Sequence, residues 1–435
     1  RQRQMCIRDR YHTYAKSLVE RGLAYPCFCT EEELDKVRAK QEEDKVLTGY
    51  YGEYATCRNL SYEEIEANIK AGKPYVLRLR SQGSPDKEIT FVDAIKGEIK
   101  LPENIHDIVL LKKDGIPTYH FAHAIDDHLM RTTTVVRGGE WLASAPIHYE
   151  LFHLLGFKMP AYAHTAHLMK FDEETGGKRK LSKRKDPELS LDYYRKDGYH
   201  PYTMKVYLLT LLNSNFEEWH EKFPDKDINE FPFSVEKMNQ SGALFDKDKL
   251  HNICKNELSK LSEEELYDFL YDWAKENEPE NVEKWFGDRE KMLQILRLYM
   301  GVGAKRRRKD LMYAKQIFEL ISYFFDGESA EEMDEFKLDE DMVSKILKSY
   351  LAKYDHNDDN SVWFNKLKEI ADEHGFASDM KAYKANPENF KGNVSDIAEA
   401  VRIAVTGRAN TPDLWTIVHI MGEEQMTERI KKHIK

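Results

Sequence analysis

Residues 133–141, TTVVRGGEW, decide the fold class of this chain. Residues 133–136 are all β-branched, which is typical of a strand, and Gly138 and Gly139 supply a turn. A helix pattern then begins at Ser144 and runs to Gly156. Because a strand, a glycine turn and a helix in this order place ligands at the carboxyl ends of parallel strands, the pattern predicts an α/β domain with a ligand site near the turn.

The flanking segments extend this pattern before the chain becomes helical. Residues 74–80 alternate apolar and polar positions, residues 88–94 form another short strand, and residues 108–111 form a buried-strand run. Ser61, with Glu64 at the capping-box spacing, begins a helix. From residue 201 onward apolar residues recur at three- and four-residue intervals, which predicts an almost wholly helical C-terminal half.

Composition sets limits on the class of protein. The 435 residues are 41% hydrophobic and 33% charged, which is typical of a globular protein of several domains. No apolar stretch is long enough to cross a bilayer. The five cysteines are an odd number and are widely spread, which favours a reducing cytoplasm. A net charge of -11 argues against indiscriminate nucleic-acid binding but permits a specific polyanionic partner.

Residues 178–186, KRKLSKRKD, stand out in this acidic chain, because six of the nine are basic. Ser182 interrupts the cluster, and Gly176 and Gly177 precede it. The segment is predicted to be a mobile loop that folds over phosphate groups. The alternative is a solvated run of charge with no specific ligand.

Several motifs carry a resemblance to a known family. Residues 180–184, KLSKR, resemble the second signature of class I aminoacyl-tRNA synthetases. The order and spacing of further motifs resemble the glutamyl-tRNA synthetases: residues 117–122, PTYHFA; 126–130, DDHLM; 135–142, VVRGGEWL; and 144–148, SAPIH. The resemblance continues through residues 190–194, SLDYY, and 242–246, GALFD, to 402–407, RIAVTG, so that it covers roughly residues 11–435.

The resemblance implies the domain organisation. An α/β, partial Rossmann-like class I synthetase catalytic domain is expected at residues 11–26 and 105–200, with an inserted α+β connective domain that binds the acceptor end at residues 27–104. All-α regions are expected to follow: a stem-contact region at residues 201–325 and an anticodon-binding domain at residues 326–435. Residues 1–10 show neither helical nor strand periodicity and are expected to be a leader foreign to the fold.

The resemblance also implies roles for individual residues. Arg137 corresponds to an arginine on the glutamate substrate, and a guanidinium can bind a carboxylate through two hydrogen bonds. Tyr119 corresponds to a tyrosine of the amino-acid pocket, and His123 stands where many members carry Asn. The expected ATP-binding residues are Glu140, Trp141, Lys180, Lys183 and Arg184, and the expected catalytic residues are Lys180, Ser182 and Lys183. Tyr119 and Trp141 could instead be core aromatics.

The family reaction has two steps and defines the expected partners. The α-carboxylate of L-glutamate attacks ATP, with Mg²⁺, and the 3′ end of tRNA-Glu then takes the glutamyl group. A cytoplasmic monomer with no membrane contact is expected. Three alternatives stay open: a non-discriminating synthetase, a glutaminyl-type synthetase, and a tRNA-binding fragment without catalysis.

Two features depart from the family pattern. The first class I signature, His-Ile-Gly-His, is absent from the sequence, so we expect an N-terminally truncated synthetase that binds tRNA but adenylates poorly. Cys27, Cys29 and Cys57 could hold Zn²⁺, but Asn59 stands where the family has a fourth ligand, His. Three reduced thiols without metal are the alternative.

A second basic run, residues 305–309, KRRRK, is expected to open a helix in the C-terminal half. Clustered Lys and Arg suit contact with the tRNA backbone. A solvated helix face is the competing interpretation.

Overall fold

The computed structural model describes residues 2–172, 174–240, 242–325 and 333–435, and for residues 2–8 it describes the backbone alone. The chain divides into two compact units. Unit 1 comprises Arg1–Lys180 and Thr210–Phe245, and unit 2 comprises Leu181–Leu209 and Asp246–Lys435. The expected start of an anticodon-binding domain at residue 326 lies outside the described residues.

The strands of the described chain all belong to unit 1 and form three sheets. They are β1 (Ala24–Cys27), β2 (Val76–Leu79), β3 (Glu88–Asp93), β4 (Gly97–Pro102), β5 (Val109–Leu111), β6 (Thr134–Gly138), β7 (Ala161–Thr165), β8 (Leu168–Phe171), β9 (Lys178–Lys180) and β10 (Ala243–Leu244). One sheet has the order β4-β3-β7-β6, in which β3, β7 and β6 are parallel. The others have the orders β1-β2-β5, which is antiparallel, and β10-β8-β9, which is mixed.

The first five helices are α1 (Gln2–Glu20), α2 (Glu31–Glu43), α3 (Tyr62–Lys70), α4 (Tyr119–Leu129) and α5 (Ala145–Leu155). The predicted capping box of Ser61 and Glu64 is confirmed at the start of α3. Helix α1 begins at Gln2 although residues 1–10 lack helical periodicity, and the assignment of these residues to a leader foreign to the fold stays a prediction. Arg, Gln and Met have high intrinsic helix propensity, and these residues extend the helix without an apolar stripe.

The predicted strand, turn and helix unit is confirmed around residue 137. Strand β6 is followed by α5, and β7 then pairs in parallel with β6, from Thr134 opposite Ala161 to Gly138 opposite Thr165. Pro146 lies in the first turn of α5, and Gly156 ends the helix in the left-handed conformation, with φ of 70°. Leu151 and Phe152 of α5 are fully buried, and each contributes about 1.5–3 kcal/mol by leaving water.

Helix α5 is anchored on its other side by polar contacts. The Glu150 carboxylate accepts hydrogen bonds from Asn104 Nδ2 at 2.6 Å, the Gln82 backbone N–H at 2.6 Å and Ser81 Oγ at 3.0 Å. The Ser81 backbone N–H in turn donates to the buried Asp107 carboxylate at 2.9 Å. Buried carboxylates need such donors, because their desolvation costs several kcal/mol otherwise.

The remaining helices confirm the predicted helical C-terminal half. They are α6 (Leu191–Asp197), α7 (Pro201–Leu212), α8 (Ser214–Lys222), α9 (Lys247–Leu258), α10 (Glu263–Asn277), α11 (Val282–Phe286), α12 (Arg289–Met300), α13 (Ala314–Ile321), α14 (Glu340–Lys353), α15 (Asn360–His374), α16 (Met380–Ala385), α17 (Val394–Thr406), α18 (Leu414–Met421) and α19 (Glu423–Lys431). One continuous core of buried apolar side chains extends from Leu258 to Ile430 in unit 2. Among the described helices, none is both long enough and apolar enough to span a membrane.

Both basic runs differ from their predicted backbone. Lys178–Lys180 form strand β9, because their backbone pairs with Leu168–Phe171, so the first third of the predicted loop is a hairpin strand. Residues 305–309 do not open a helix, and the next helix begins at Ala314. Gly301 and Gly303 have φ of 65° and 81°, which turns the chain back so that the Arg308 N–H bonds the Met300 carbonyl at 3.0 Å.

Candidate active site

The candidate site lies at the carboxyl edge of the three parallel strands of unit 1. Asp93 is the last residue of β3, Arg137 is the fourth of five residues in β6, and His164 is the fourth of five in β7. The sheet register places Arg137 opposite His164. This edge is where open α/β sheets bind ligands, so it is the position that the sequence predicts for the ligand site.

The guanidinium of Arg137 is held by three protein acceptors. Its Nε donates to His164 Nε2 at 2.9 Å, and one terminal nitrogen, Nη1, lies 3.1 Å from His148 Nδ1. The other, Nη2, donates to the Trp141 carbonyl at 3.3 Å. The guanidinium also lies over the Tyr162 ring, with Cζ 4.8 Å from its centroid. This cation–π contact and the hydrogen bonds together fix the plane of the fork.

A buried carboxylate supports Arg137 through an imidazole. His164 Nδ1 lies 2.6 Å from Asp93 Oδ2, and both side chains are buried. Burial would raise the pKa of Asp93, but hydrogen bonds from His164 and from the backbone N–H groups of Lys96 and Ile95 lower it. Burial lowers the pKa of His164, which favours the neutral ring, and this ring orients the guanidinium through the hydrogen bond that it accepts.

Two further imidazoles, those of His148 and His120, extend from the Nη1 side of the Arg137 guanidinium. His148 Nε2 lies 2.9 Å from His120 Nδ1, and the His148 side chain is completely buried. Burial, followed by the charges of His123 and Arg137, lowers the pKa of His148 to about 2. Burial and Arg137 also lower the pKa of His120. These rings therefore carry no charge at neutral pH, and Arg137 is the cation of the cluster.

The aromatic residues predicted for the amino-acid pocket surround this cluster. The Tyr119 ring lies 4.6 Å from the Trp141 ring and is stacked on the His123 ring at 5.8 Å, measured between centroids. Tyr119 is half exposed, so it lines a surface and is not a core aromatic. His123 Nε2 lies 2.8 Å from the hydroxyl of Tyr162, and His123 Nδ1 lies 2.8 Å from the Asp127 carboxylate. These aromatic walls favour a flat or extended organic ligand beside Arg137.

Glu140 and Lys180 meet next to Arg137. The Lys180 ammonium donates to Glu140 Oε1 at 3.2 Å, and His167 Nε2 lies 3.5 Å from Glu140 Oε2. The pKa of Glu140 is lowered by the hydrogen bond from its own backbone N–H and by the hydrogen bond from Lys180, although burial alone would raise it. The carboxylate is packed so closely against Gly138 that a Cβ there would displace it. The structure thus brings the first lysine of the KLSKR motif to the predicted ATP-binding glutamate.

The other predicted residues of that motif belong to unit 2, where they form a compact turn. The Ser182 backbone N–H donates to the buried carboxylate of Asp186 at 2.7 Å, and the Asp186 N–H returns to the Ser182 carbonyl at 2.8 Å. Lys183 and Arg184 are exposed on this turn. The turn therefore presents two cations to solvent from a backbone that is pinned by one carboxylate.

The predicted cysteines come together in unit 1. The sulfur atoms of Cys27, Cys29 and Cys57 all lie within 4.8 Å of one another, and those of Cys29 and Cys57 are 3.5 Å apart. The Tyr50 hydroxyl lies 3.4 Å from the sulfur of Cys27 and 3.3 Å from that of Cys29. Hydrogen bonds from Cys29 and Cys57 lower the pKa of Cys27. Sulfurs around one tetrahedral Zn²⁺ are about 3.8 Å apart, so the three thiols fit this metal.

Sequence reasoning missed four residues of the site: Asp93, His148, Tyr162 and His164. His148 is part of the motif 144–148 that carried the family resemblance, and the sequence analysis made no prediction for His164. His148 follows a detectable signal, since it lies in the first turns of the helix after the predicted strand, whereas His164 lies in a strand that was not predicted. Asp93 gives a similar signal as the polar end of an alternating strand.

The comparisons with known proteins agree with this geometry. Residues 2–252 match the model of the tRNA synthetases class I (E and Q), catalytic domain, and residues 265–434 match an anticodon binding domain. The chain therefore belongs to the class I tRNA synthetases of the glutamate and glutamine type. The resemblance predicted from the sequence motifs is confirmed.

The individual relatives to which the chain is similar are glutamate–tRNA ligases. The chain is 53% identical over 424 residues to a glutamate–tRNA ligase of Acetivibrio thermocellus, covering 97% of this chain and 77% of that protein. It is 46% identical over 431 residues to a glutamate–tRNA ligase of Clostridium perfringens, covering 98% and 77%. A crystal structure of a glutamate tRNA ligase from Elizabethkingia meningosepticum superposes with a TM-score of 0.75 at 26% identity, covering 99% of this chain and 83% of that one.

Proposed function

We propose that this protein is a glutamate–tRNA ligase, which activates L-glutamate with ATP and transfers it to tRNA-Glu. The observation that carries the proposal is a fixed guanidinium, that of Arg137, at the carboxyl edge of a parallel sheet beside the aromatic pair Tyr119 and Trp141. A guanidinium held in this way suits a carboxylate ligand. The close relatives that bear this activity in their names support the same conclusion.

The reaction assigns different tasks to the two carboxylates of glutamate. The α-carboxylate must attack the α-phosphorus of ATP, which forms glutamyl-adenylate and releases pyrophosphate. A carboxylate bound at both oxygens by a guanidinium is a poor nucleophile, so Arg137 holds the side-chain carboxylate and leaves the α-carboxylate free. The ribose hydroxyl at the tRNA 3′ end then attacks the acyl carbon and releases AMP. Positioning and charge stabilisation supply the catalysis, since no covalent enzyme intermediate is needed.

ATP binds on the Glu140 side of Arg137 in this proposal. Lys180, whose ammonium lies 3.2 Å from Glu140, contacts the phosphates in this proposal, and Trp141 borders the nucleotide. In unit 2, the Ser182 hydroxyl and the exposed cations Lys183 and Arg184, on the pinned turn, have the chemistry that suits pyrophosphate. Mg²⁺ bound with ATP supplies further charge neutralisation on the phosphates.

The anticodon half of tRNA binds to unit 2 in this proposal. A cavity of about 730 Å³ lies within the region that matches the anticodon binding domain, between residues of α12, the turn after it and α18. Arg297, Arg306 and Arg308 line it, together with Pro412 and Thr416. Arginines beside an apolar wall suit unstacked bases and their phosphates. The basic run 305–309 thus contributes from a turn, not from a helix.

Residues 27–104 carry a zinc site in this proposal. Cys27, Cys29 and Cys57 would hold Zn²⁺ as thiolates, and the Tyr50 hydroxyl lies against two of the three sulfurs. Such a site stabilises a small domain with few buried apolar residues. The free thiols in turn favour a cytoplasmic protein, and we propose that it acts there as a monomer.

Charging assays test the proposal against its alternatives. We expect the protein to charge tRNA-Glu with glutamate and not with glutamine, slowly because the first class I signature is absent from its sequence, and Arg137→Lys to lower kcat/KM for glutamate about 100-fold further. The control Arg38→Lys, an exposed residue of α2, should be neutral. Preferential charging of tRNA-Gln with glutamine would establish a glutaminyl-type enzyme instead. Tight tRNA binding without any pyrophosphate exchange would identify a fragment without catalysis.

A further inference from the structure

The hydrogen bonds of Arg137 leave a defined pair of donors for a ligand. A guanidinium has five N–H groups and no acceptor. Among the described residues, one N–H each from Nε, Nη1 and Nη2 is taken by His164, His148 and the Trp141 carbonyl. Two N–H groups therefore remain, one on each terminal nitrogen. A carboxylate, whose two oxygens can only accept, is able to satisfy both.

We infer that His148 and His164 are positioning residues that, as neutral acceptors, leave this pair of donors on Arg137 and so make the pocket select a carboxylate over a carboxamide. The inference rests on the proposed function and names the residues that determine its amino-acid specificity. Neither histidine touches the substrate in this scheme. Both act through the guanidinium.

The tautomers of His164 and His148 follow from their hydrogen bonds with Arg137. Arg137 can only donate, so His164 Nε2 and His148 Nδ1 must both be unprotonated acceptors. A neutral imidazole then carries its proton on the other nitrogen. His164 Nδ1–H donates to the Asp93 carboxylate at 2.6 Å, and His148 Nε2–H donates to His120 Nδ1 at 2.9 Å. Asp93, His164, Arg137, His148 and His120 thus form one chain in which every donor direction is set.

The direction of this chain has a chemical consequence for the substrate. A carboxylate accepts from both remaining N–H groups of Arg137. The carboxamide of glutamine accepts one and places its own NH₂ against the other, so that two donors face each other in a desolvated site. A pocket whose buried donors would stay unpaired rejects the wrong substrate strongly, by about 10⁴-fold in kcat/KM in favourable cases. His148 is the more informative of the two histidines, because the Asp93 carboxylate fixes His164 independently.

Two substitutions of His148 separate an acceptor role from a packing role. His148→Asn keeps an oxygen acceptor near the position of Nδ1, whereas His148→Leu has a similar volume and no acceptor. We expect His148→Leu to raise KM for glutamate about 10- to 100-fold with a smaller change in kcat, and to lower the glutamate/glutamine ratio of kcat/KM. We expect His148→Asn to stay within about threefold of the wild type. His153→Asn, on the exposed side of the same helix, is the matched control.

The outcomes are decisive in both directions. Equal impairment of the Asn and Leu variants, or wild-type behaviour of both, would overturn the acceptor role of His148. If the wild-type protein itself charges no glutamate, the proposed function fails, and the hydrogen-bond chain is tested separately by ¹⁵N NMR of the histidine rings. We expect Nδ1 of His148 to be unprotonated at pH 7. A protonated Nδ1, or a cationic ring, would overturn the inference even if the Leu variant does not fold.

Discussion

Acidification tests the burial of the imidazole cluster, and His148 provides the sharpest measurement. Its ordinary pKa of 6.5 is lowered to about 2 in the folded protein, chiefly by burial. Below pH 6.5 the unfolded chain therefore binds a proton that the folded chain does not, so stability is lost as the pH falls from 6.5 towards 2. Between pH 7 and pH 5 the loss from this one residue is about 2 kcal/mol.

Urea unfolding at pH 7 and pH 5, followed by tryptophan fluorescence, measures this loss of stability. The His148→Asn variant cannot take up the proton, so its free energy of unfolding should fall by about 2 kcal/mol less than that of the wild type over the same interval. His153→Asn, exposed on the same helix, should keep the wild-type pH dependence. If the wild type and His148→Asn lose the same stability, the folded His148 titrates normally and the neutral-imidazole argument is refuted.

Three further predictions concern other parts of the chain. Gly198→Ala should destabilise unit 2 by about 2–4 kcal/mol in urea, because Gly198 has φ of 78° and its Cβ would lie 2.7 Å from Trp273 Nε1. The control Gly303→Ala, at a site with φ of 81° and open space around the Cβ, should lower the free energy of unfolding by only about 1–2 kcal/mol. An equal loss of stability in both variants would contradict the packing argument. The purified wild-type protein should carry one equivalent of zinc by mass spectrometry, Cys57→Ser should carry none, and the variant of the buried Cys254, Cys254→Ser, should retain it. Arg306→Ala should weaken tRNA binding and reduce the slope of log K against log salt by about 0.7–0.9, and an unchanged slope would remove Arg306 from the proposed anticodon cleft.

The sequence predicted the main elements because their signals are local. The β-branched run before Arg137, the Ser61 capping box and the apolar spacing of the C-terminal helices each reflect a short-range preference. Helix α4 was missed although Phe121, Ala124 and Ile125 are buried at helical spacing, because its many His and Asp residues are weak helix formers. The basic run 305–309 was placed in a helix because its composition is helical, but the preceding glycines turn the chain.

The candidate site was only partly predictable. Arg137, Tyr119, Trp141, Glu140 and Lys180 came from the family resemblance, and the structure brings them together in unit 1. The supporting residues depend on sheet order and register, which bring β3 beside β7 and β7 beside β6 although β3 precedes β6 by about 40 residues in the sequence. No local pattern indicates that Asp93 would meet His164 across 71 positions. Such long-range pairings depend on the topology of the sheet, and the periodicity of apolar residues in the sequence does not predict them.

The two-sided attachment of α5 has a mechanical consequence. One face of the helix presents His148 to the guanidinium, and another presents Glu150 to the segment that carries Ser81 and Asn104. Only about one half-turn separates the two anchors along the chain, so the helix transmits displacement between them with little internal bending. A displacement of the 81–104 segment would therefore shift the guanidinium of Arg137 through this helix.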